Sequence, residues 1–327
     1  MCFNKDSIVF IKITLGDIFM PSSLTHYEFM KHLGIEYTDI SIIGTQGPDP
    51  FFFYGLSLIP HLHAKKINSF GHFLHNIDSY ITFRYFVEYI QGALDSEKPV
   101  LIDYLKGMYA HYVLDKHCHP YIFYISGFTV DAKDKTNYFL PHAAIETSID
   151  VLLLQKLGDS SLKSQDALIC NNKKIKIVSK MICSLANDRF KKREIKENSF
   201  YKAVKQMRFV EKVLYSKSGR KKKFFNHFMH DSAINVMARP KTVMPLDFLN
   251  LKHKTFYNCV TNKDPQNKDF YELMDDAKKE FFVKYPIIVD VINKKKTMNS
   301  MDNLFNSIDH NGFEVGTTKK YFDLIFK

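Results

Sequence analysis

From about residue 72 onward, apolar residues recur at intervals of three and four rather than two. This leaves one apolar stripe along each segment, the pattern of helices that bury one face. Tyr80–Gln91 interleaves aromatic and polar residues in this way, and Asp103–His117, His142–Leu157, Lys174–Asn187, Ser199–Lys217, Phe225–Arg239 and Asp269–Lys284 follow. Breakers separate them at Gly92, Gly158–Ser161, Gly219 and the Pro240–Pro245 stretch. No pair of alternating runs brackets an Asn-Gly or Asp-Gly turn, and no repeat of fixed period is present. The pattern predicts an all-α fold.

The opening of the chain reads differently. Met20 begins Met-Pro-Ser-Ser-Leu-Thr-His, in which Ser23 or Thr25 can cap a helix through Tyr27, Phe29 and His32. Residues 1–19 are expected to be a disordered extension or an upstream start that translation does not use, and residues 20–327 a single helical domain.

Composition narrows the class. The 327 residues are 45% hydrophobic, enough for a sizeable core, and 13 Gly and 11 Pro are too few for a disordered or fibrous chain. The five cysteines are odd in number and scattered, which argues against a disulfide framework and favours a reducing compartment. Neither a secretory leader nor the ~20 apolar residues of a membrane helix is visible, so a cytoplasmic protein is expected. The net charge of +11 is spread widely, with one dense run at Arg220–Lys223. It reads as a solvated lysine-rich surface, with a phospholipid surface or nucleic acid as the alternative partner.

Three local patterns carry chemistry. In Gly44-Thr-Gln-Gly-Pro-Asp49-Pro50, two prolines bracket an acid and stiffen its loop, which suits a ligand as well as an ordinary turn. In His111-Tyr-Val-Leu-Asp115-Lys-His117-Cys-His119-Pro120, positions four apart stack on one helical face, so His111, Asp115 and His119 form a stripe. Two imidazoles flanking a carboxylate point to metal ligation. In His142-Ala-Ala-Ile-Glu146 the same spacing sets imidazole beside carboxylate among apolar residues. Taken alone this is a surface pair, but on a buried helix it needs a cationic partner.

Leu24-Thr-His26-Tyr, Gly44–Pro50, His61-Leu-His63, His111–Pro120 and His142–Glu146 come in the order found in the zinc-dependent phospholipase C family, which the chain resembles from Met20 to at least Glu146. A weaker echo continues into Leu249-Asn-Leu-Lys-His253. The family is related in fold to single-strand-specific zinc nucleases. The resemblance implies a multi-helix bundle around a cluster of two to three zinc ions that hydrolyses a phosphodiester with metal-activated water. It implies that Asp49 and His63 ligate one zinc with His111 and Asp115. Asp115 then bridges to a second zinc that also takes His26, and a further zinc takes His119, His142 and Glu146. Asp49 is also the implied general base.

Two departures stand out. The next histidine follows Asp115 sooner than in the secreted enzymes, at His117 or His119; the helical stripe favours His119. The family's N-terminal tryptophan ligand is missing, since the chain has no tryptophan; if translation begins at Met20, the amine of Pro21, five residues before His26, could replace it. Among the other histidines, His61 is an alternate to His63. His72, His75, His227 and His230 read as surface or structural, and His32, His253 and His310 lack supporting neighbours. Cys118 faces off the stripe and reads as a small core residue, while Phe51–Tyr54 reads as core or as a substrate entrance. The implied substrate is a phospholipid or other phosphodiester, with possible peripheral membrane contact. A nuclease or nucleotidase of the same fold, and a non-catalytic zinc-binding protein, are the competing readings.

Overall fold

The helix expected over Asp103–His117 extends to 29 residues, Lys98–Ser126, because neither nearby proline stops it. Pro99 sits in the first turn, where its missing N–H has no intrahelical partner to lose, and Gly127 in the left-handed region (φ 66°) ends the helix. Pro120 lies inside the helix and leaves the Lys116 carbonyl without its usual donor. Gly312 (φ 79°) packs its backbone there: a Cβ on it would lie 2.3 Å from that carbonyl oxygen.

The structure is a computed structural model that describes residues 23–55, 63–127, 136–157, 162–228, 233–258 and 264–316, with side chains of 136–140 and 233–234 excluded. Among them are eleven α-helices: α1 Ser23–His32, α2 Asp39–Gly44, α3 Ala64–Asn76, α4 Ser79–Gly92, α5 Lys98–Ser126, α6 Thr136–Leu157, α7 Asn172–Asp188, α8 Ser199–Leu214, α9 Arg220–Phe228, α10 Ala233–Met237 and α11 Phe270–Ile292. A 3₁₀ turn, Asp49–Phe53, follows α2, and among the described residues there is no β-strand, only two isolated bridges. The all-α expectation holds. Of the expected helix Phe225–Arg239, residues 225–228 lie in α9 and 233–237 in α10, and residues 229–232 lie outside the described residues.

Local chemistry sets several of these boundaries. Asp269 and Glu272 form a reciprocal capping box that starts α11, and Asp78 and Asn171 accept from the second residues of α4 and α7. α5 forms the spine against which α2 and α11 pack. Gly44 and Gly107 let α2 and α5 touch backbone to backbone, and stacked aromatics such as Phe83, Tyr109, Phe281, Tyr285 and Phe305 fill the core behind α5. Among the described residues, Cys118, Cys170 and Cys183 are free thiols, and no helix is long and apolar enough to cross a membrane. Residues 1–22, including Pro21, and residues 56–62, including His61, lie outside the described residues.

Candidate metal centre

The stripe on α5 forms as its spacing requires: His111, Asp115 and His119 are all buried. The loop after α2 lies directly on it. Gly47 has φ +50°, and a Cβ there would fall 2.2 Å from the His111 ring, so only glycine fits both the backbone and the space. This seats Asp49, 1% exposed, at the start of its 3₁₀ turn beside the histidines. α1 brings in His26 and α6 brings in His142 and Glu146, all buried.

The ligand atoms fall into three buried groups, each within 4.8 Å: His26, His111 and Asp115; Asp49, His75 and His111; and His119, His142 and Glu146. His26 Nε2 lies 3.3 Å from Asp115 Oδ1, while His111 Nε2 lies 3.1 Å and His75 Nε2 4.0 Å from Asp115 Oδ2, so the two carboxylate oxygens face different imidazoles, and His111 is common to the first two groups. Glu146 Oε1 is 3.2 Å from His142 Nε2 and 3.6 Å from His119 Nε2. Two ligands about 2.0–2.1 Å from one ion at a tetrahedral angle stand about 3.3 Å apart, which these separations match.

Hydrogen bonds behind the rings decide what the front nitrogens present. His111 Nδ1 donates to the Thr45 carbonyl (3.1 Å), His75 Nδ1 to Gly71 (2.8 Å) and His119 Nδ1 to His310 (3.2 Å). A carbonyl only accepts, so each Nδ1 carries the proton and each Nε2 faces carboxylate oxygen either as a cation or as a bare lone pair. Lone pairs set against carboxylates repel unless a cation sits between them. His26 Nδ1, Asp49 Oδ2, His111 Nε2, Glu146 Oε2 and His310 Nδ1 are buried without a hydrogen-bond partner, although several charged atoms stand within 4 Å of them. Buried polar atoms are normally satisfied, so this concentration of orphans marks a place that could hold metal ions.

The imidazoles divide: His111 falls, whereas His26, His75 and His119 rise because burial is outweighed by the carboxylates they face. Burial drives the His111 imidazole well below its ordinary value despite Asp115, which keeps it neutral as a ligand must be. Burial alone would raise the Asp115 carboxyl, but His111, His119 and His26 outweigh it and hold it well below the usual carboxylate range. Glu146 is lowered in the same way, burial being overcome by His142 and His119. Burial raises Asp49, with His75 only partly offsetting it. For His119 burial is outweighed by Asp115 and Glu146, and its imidazole rises to about 9.

Seven of the eight expected ligands are thus brought together, and His63 is not. His63 is exposed at the N-terminal cap of α3, in a left-handed conformation (φ 63°), and belongs to none of the groups. His75 holds that place, its Nε2 2.9 Å from Asp49 Oδ1. The physical reason is length: a helix carries residues twelve apart about 18 Å from one another at 1.5 Å per residue, so only the far end of α3 reaches the site. His75→Ala should therefore reduce bound metal by about one ion per chain, measured by elemental mass spectrometry, while His63→Ala leaves the content unchanged.

His310 is the second residue that spacing missed. Asp309 folds its turn by accepting from the N–H groups of Asn311 and Phe313, and the turn is tied to the end of α3 by His310 N–H and Asn311 Nδ2, which both donate to the His75 carbonyl. The His310 ring lies 5.4 Å from those of both His75 and His111, and burial with His75 nearby drops its imidazole to about 3. Its local sequence, Asp-His-Asn-Gly, announces a turn and nothing more.

The stripe residue His119, not His117, faces Glu146; His117 instead pairs with Glu280 on α11 (2.8 Å). Phe51, Phe52 and Phe53 are fully packed in the core, so they do not form an entrance. A small cleft of about 20 Å³ opens between the Asp115 and Glu146 groups, with room for a water or an ion. Its walls include Thr25, Leu114, Cys118, Ile149 and Phe270, so Cys118 borders the cleft as well as the core.

The position of His26 depends on two further acids. Asp150 accepts from the N–H groups of Leu24 (3.3 Å) and Thr25 (2.7 Å), and buried Glu211 accepts from the Ser23 hydroxyl (3.2 Å), so both fix the start of α1. Burial, with Asp150 beside it, raises the Glu211 carboxyl to about 7. The unfolded chain gives up this proton near pH 4.3, so stability falls as pH rises from there to about 7. Glu211→Gln should remove that penalty, stabilising the protein by on the order of 2–3 kcal/mol at pH 8. Melting curves should show the advantage shrinking to little at pH 5.

Compared with known proteins, the chain matches no family model, no curated protein and no solved structure.

Proposed function

We propose that the chain is a zinc-dependent hydrolase of phosphodiesters, with a phospholipase C-like reaction as the leading form. The observation that carries this reading is the facing of Nε2 atoms and carboxylate oxygens across three adjoining groups, with Asp115 turning one oxygen to His26 and the other to His111. A ligand set of imidazole and carboxylate, with no thiolate, suits zinc better than magnesium or calcium, which prefer all-oxygen shells. His26 and Asp115 through Oδ1 would hold one ion, Asp49, His75, His111 and Asp115 through Oδ2 a second, and His119, His142 and Glu146 a third.

Bound zinc would supply hydroxide at neutral pH, by lowering the pKa of water from 15.7 to about 7, and would neutralise charge building on a phosphoryl group. Asp49 Oδ1 faces His75 Nε2 and would share its ion, which leaves Oδ2 to orient the attacking water and receive its proton. Asp115 keeps the groups in register, and the carbonyls of Thr45, Gly71 and His310 hold the imidazoles in their ligating tautomer. Three carboxylates against three divalent ions leave a surplus of positive charge, which favours an anionic substrate over a neutral ester.

The test is hydrolysis by zinc-loaded protein, purified without chelators, of a choline-headed chromogenic phosphodiester and of single-stranded DNA in parallel. Cleavage of the first, lost on chelation and restored by zinc, is the expected result. Cleavage of DNA alone would move the reading to a nuclease of related chemistry. Tight zinc binding with neither activity would leave a non-catalytic zinc protein. Glu146→Ala should lower zinc content by about one ion per chain, since a three-ligand site loses most of its affinity with one ligand gone.

A further inference from the structure

The strongest feature outside the metal centre is the surface formed by α8 and α9. Residues 199–246 contain eleven lysines and arginines and two acids, Glu211 and Asp231, and Glu211 is buried. The dense run Arg220–Lys223 forms the first turn of α9, where Arg220, Lys221 and Lys223 are exposed. Lys221 Nζ donates to the Val213 (2.7 Å) and Lys212 (3.3 Å) carbonyls and so straps this turn to the end of α8.

Aromatic side chains stand among these charges. Phe224 is 55% exposed and Phe228 65%, and their rings, one helical turn apart, lie 4.9 Å from each other. On α8, Phe209 (62%) and Val213 (41%) repeat the i, i+4 spacing. Three of the four exposed phenylalanines among the described residues fall in this one segment. α9 has no buried residue at all, so burial in the protein core does not account for its aromatic content. Isolated exposed apolar residues are ordinary, but a cluster of large rings rimmed by one sign of charge marks an interaction surface.

We propose that α9 and the adjoining end of α8 form a docking surface for anionic phospholipid membranes. The chemistry fits in both parts: lysine and arginine attract the negative surface of the leaflet, and paired rings enter the boundary between headgroups and acyl chains. Binding to a duplex backbone would use the same cations but gives no role to the two rings; a single strand, whose bases stack on aromatic rings, is the occupant the test must separate from lipid. The surface is not remote from the metal centre, because α9 packs on α10, which packs on α6, the helix carrying His142 and Glu146. The proposal stands without the hydrolase reading, since it concerns attachment and not turnover.

The chain has no tryptophan, so Phe224→Trp introduces a single fluorophore at an exposed position in the full-length protein. With phosphatidylserine-containing vesicles its emission should shift to the blue and be quenched by brominated acyl chains. Pure phosphatidylcholine vesicles should leave it unchanged. Adding Arg220→Glu and Lys223→Glu should weaken vesicle binding more than tenfold, with circular dichroism unaltered. An unshifted emission on anionic vesicles overturns the proposal. So does an equal shift on neutral vesicles, or a shift produced by a single-stranded oligonucleotide and not by lipid.

Discussion

Asp115→Asn should remove more metal than any other single substitution, leaving about one ion per chain and reducing phosphodiester cleavage roughly a thousandfold or more. Both carboxylate oxygens are committed, Oδ1 toward His26 and Oδ2 toward His111, and an amide offers one oxygen and a nitrogen that can only donate. In the proposed arrangement the ion beside His26 and the ion beside His111 therefore lose a ligand at once. Loss of cations that generate hydroxide and neutralise developing charge is worth several kcal/mol of barrier, and each ~1.4 kcal/mol is a factor of ten. Elemental analysis beside Glu146→Ala gives the comparison: one group, and about one ion, should be affected there. A full complement of metal in Asp115→Asn, with unchanged circular dichroism, would remove the bridging role and with it the proposed mechanism.

Gly107→Ala should damage the site from outside it. A Cβ on Gly107 would lie 1.9 Å from the Ser41 carbonyl oxygen and 2.8 Å from both Gly44 Cα and Thr45 N, all backbone atoms that cannot rotate away. α2 must then withdraw from α5 by more than about 1 Å to reach ordinary contact, with a cost at or above the ~3 kcal/mol typical of overpacked cores. The consequence reaches the metal centre because Thr45 follows α2 directly and its carbonyl fixes His111 Nδ1. Metal affinity should fall about 10- to 100-fold, as it does when a supporting hydrogen bond behind a ligand is lost. Urea unfolding and competitive zinc titration measure the two effects. Gly92→Ala is the control: nothing lies within 4 Å of that Cβ, and its stability should be unchanged or higher.

How much of this was legible in the chain depended on range. Spacing of four on one helix placed His111, Asp115 and His119 on a shared stripe and His142 beside Glu146, and both pairings are present in the fold. The helical period likewise gave the fold class. Asp49 was identifiable from its prolines, though what it would face was not. His63 and His75 show the limit: they bracket α3, and which of them reaches Asp49 is decided by where that helix lies against the 3₁₀ turn.

The sequence by itself determined the helices, the α5 stripe and the stiff acidic loop, because these follow from interactions between residues a few positions apart. Only the tertiary structure decided that His75 and His310 join the site and that His63 and His117 stay outside it. Those outcomes rest on close backbone approaches between distant segments, Gly47 on His111 and Gly312 on the carbonyl freed by Pro120, which no local periodicity encodes.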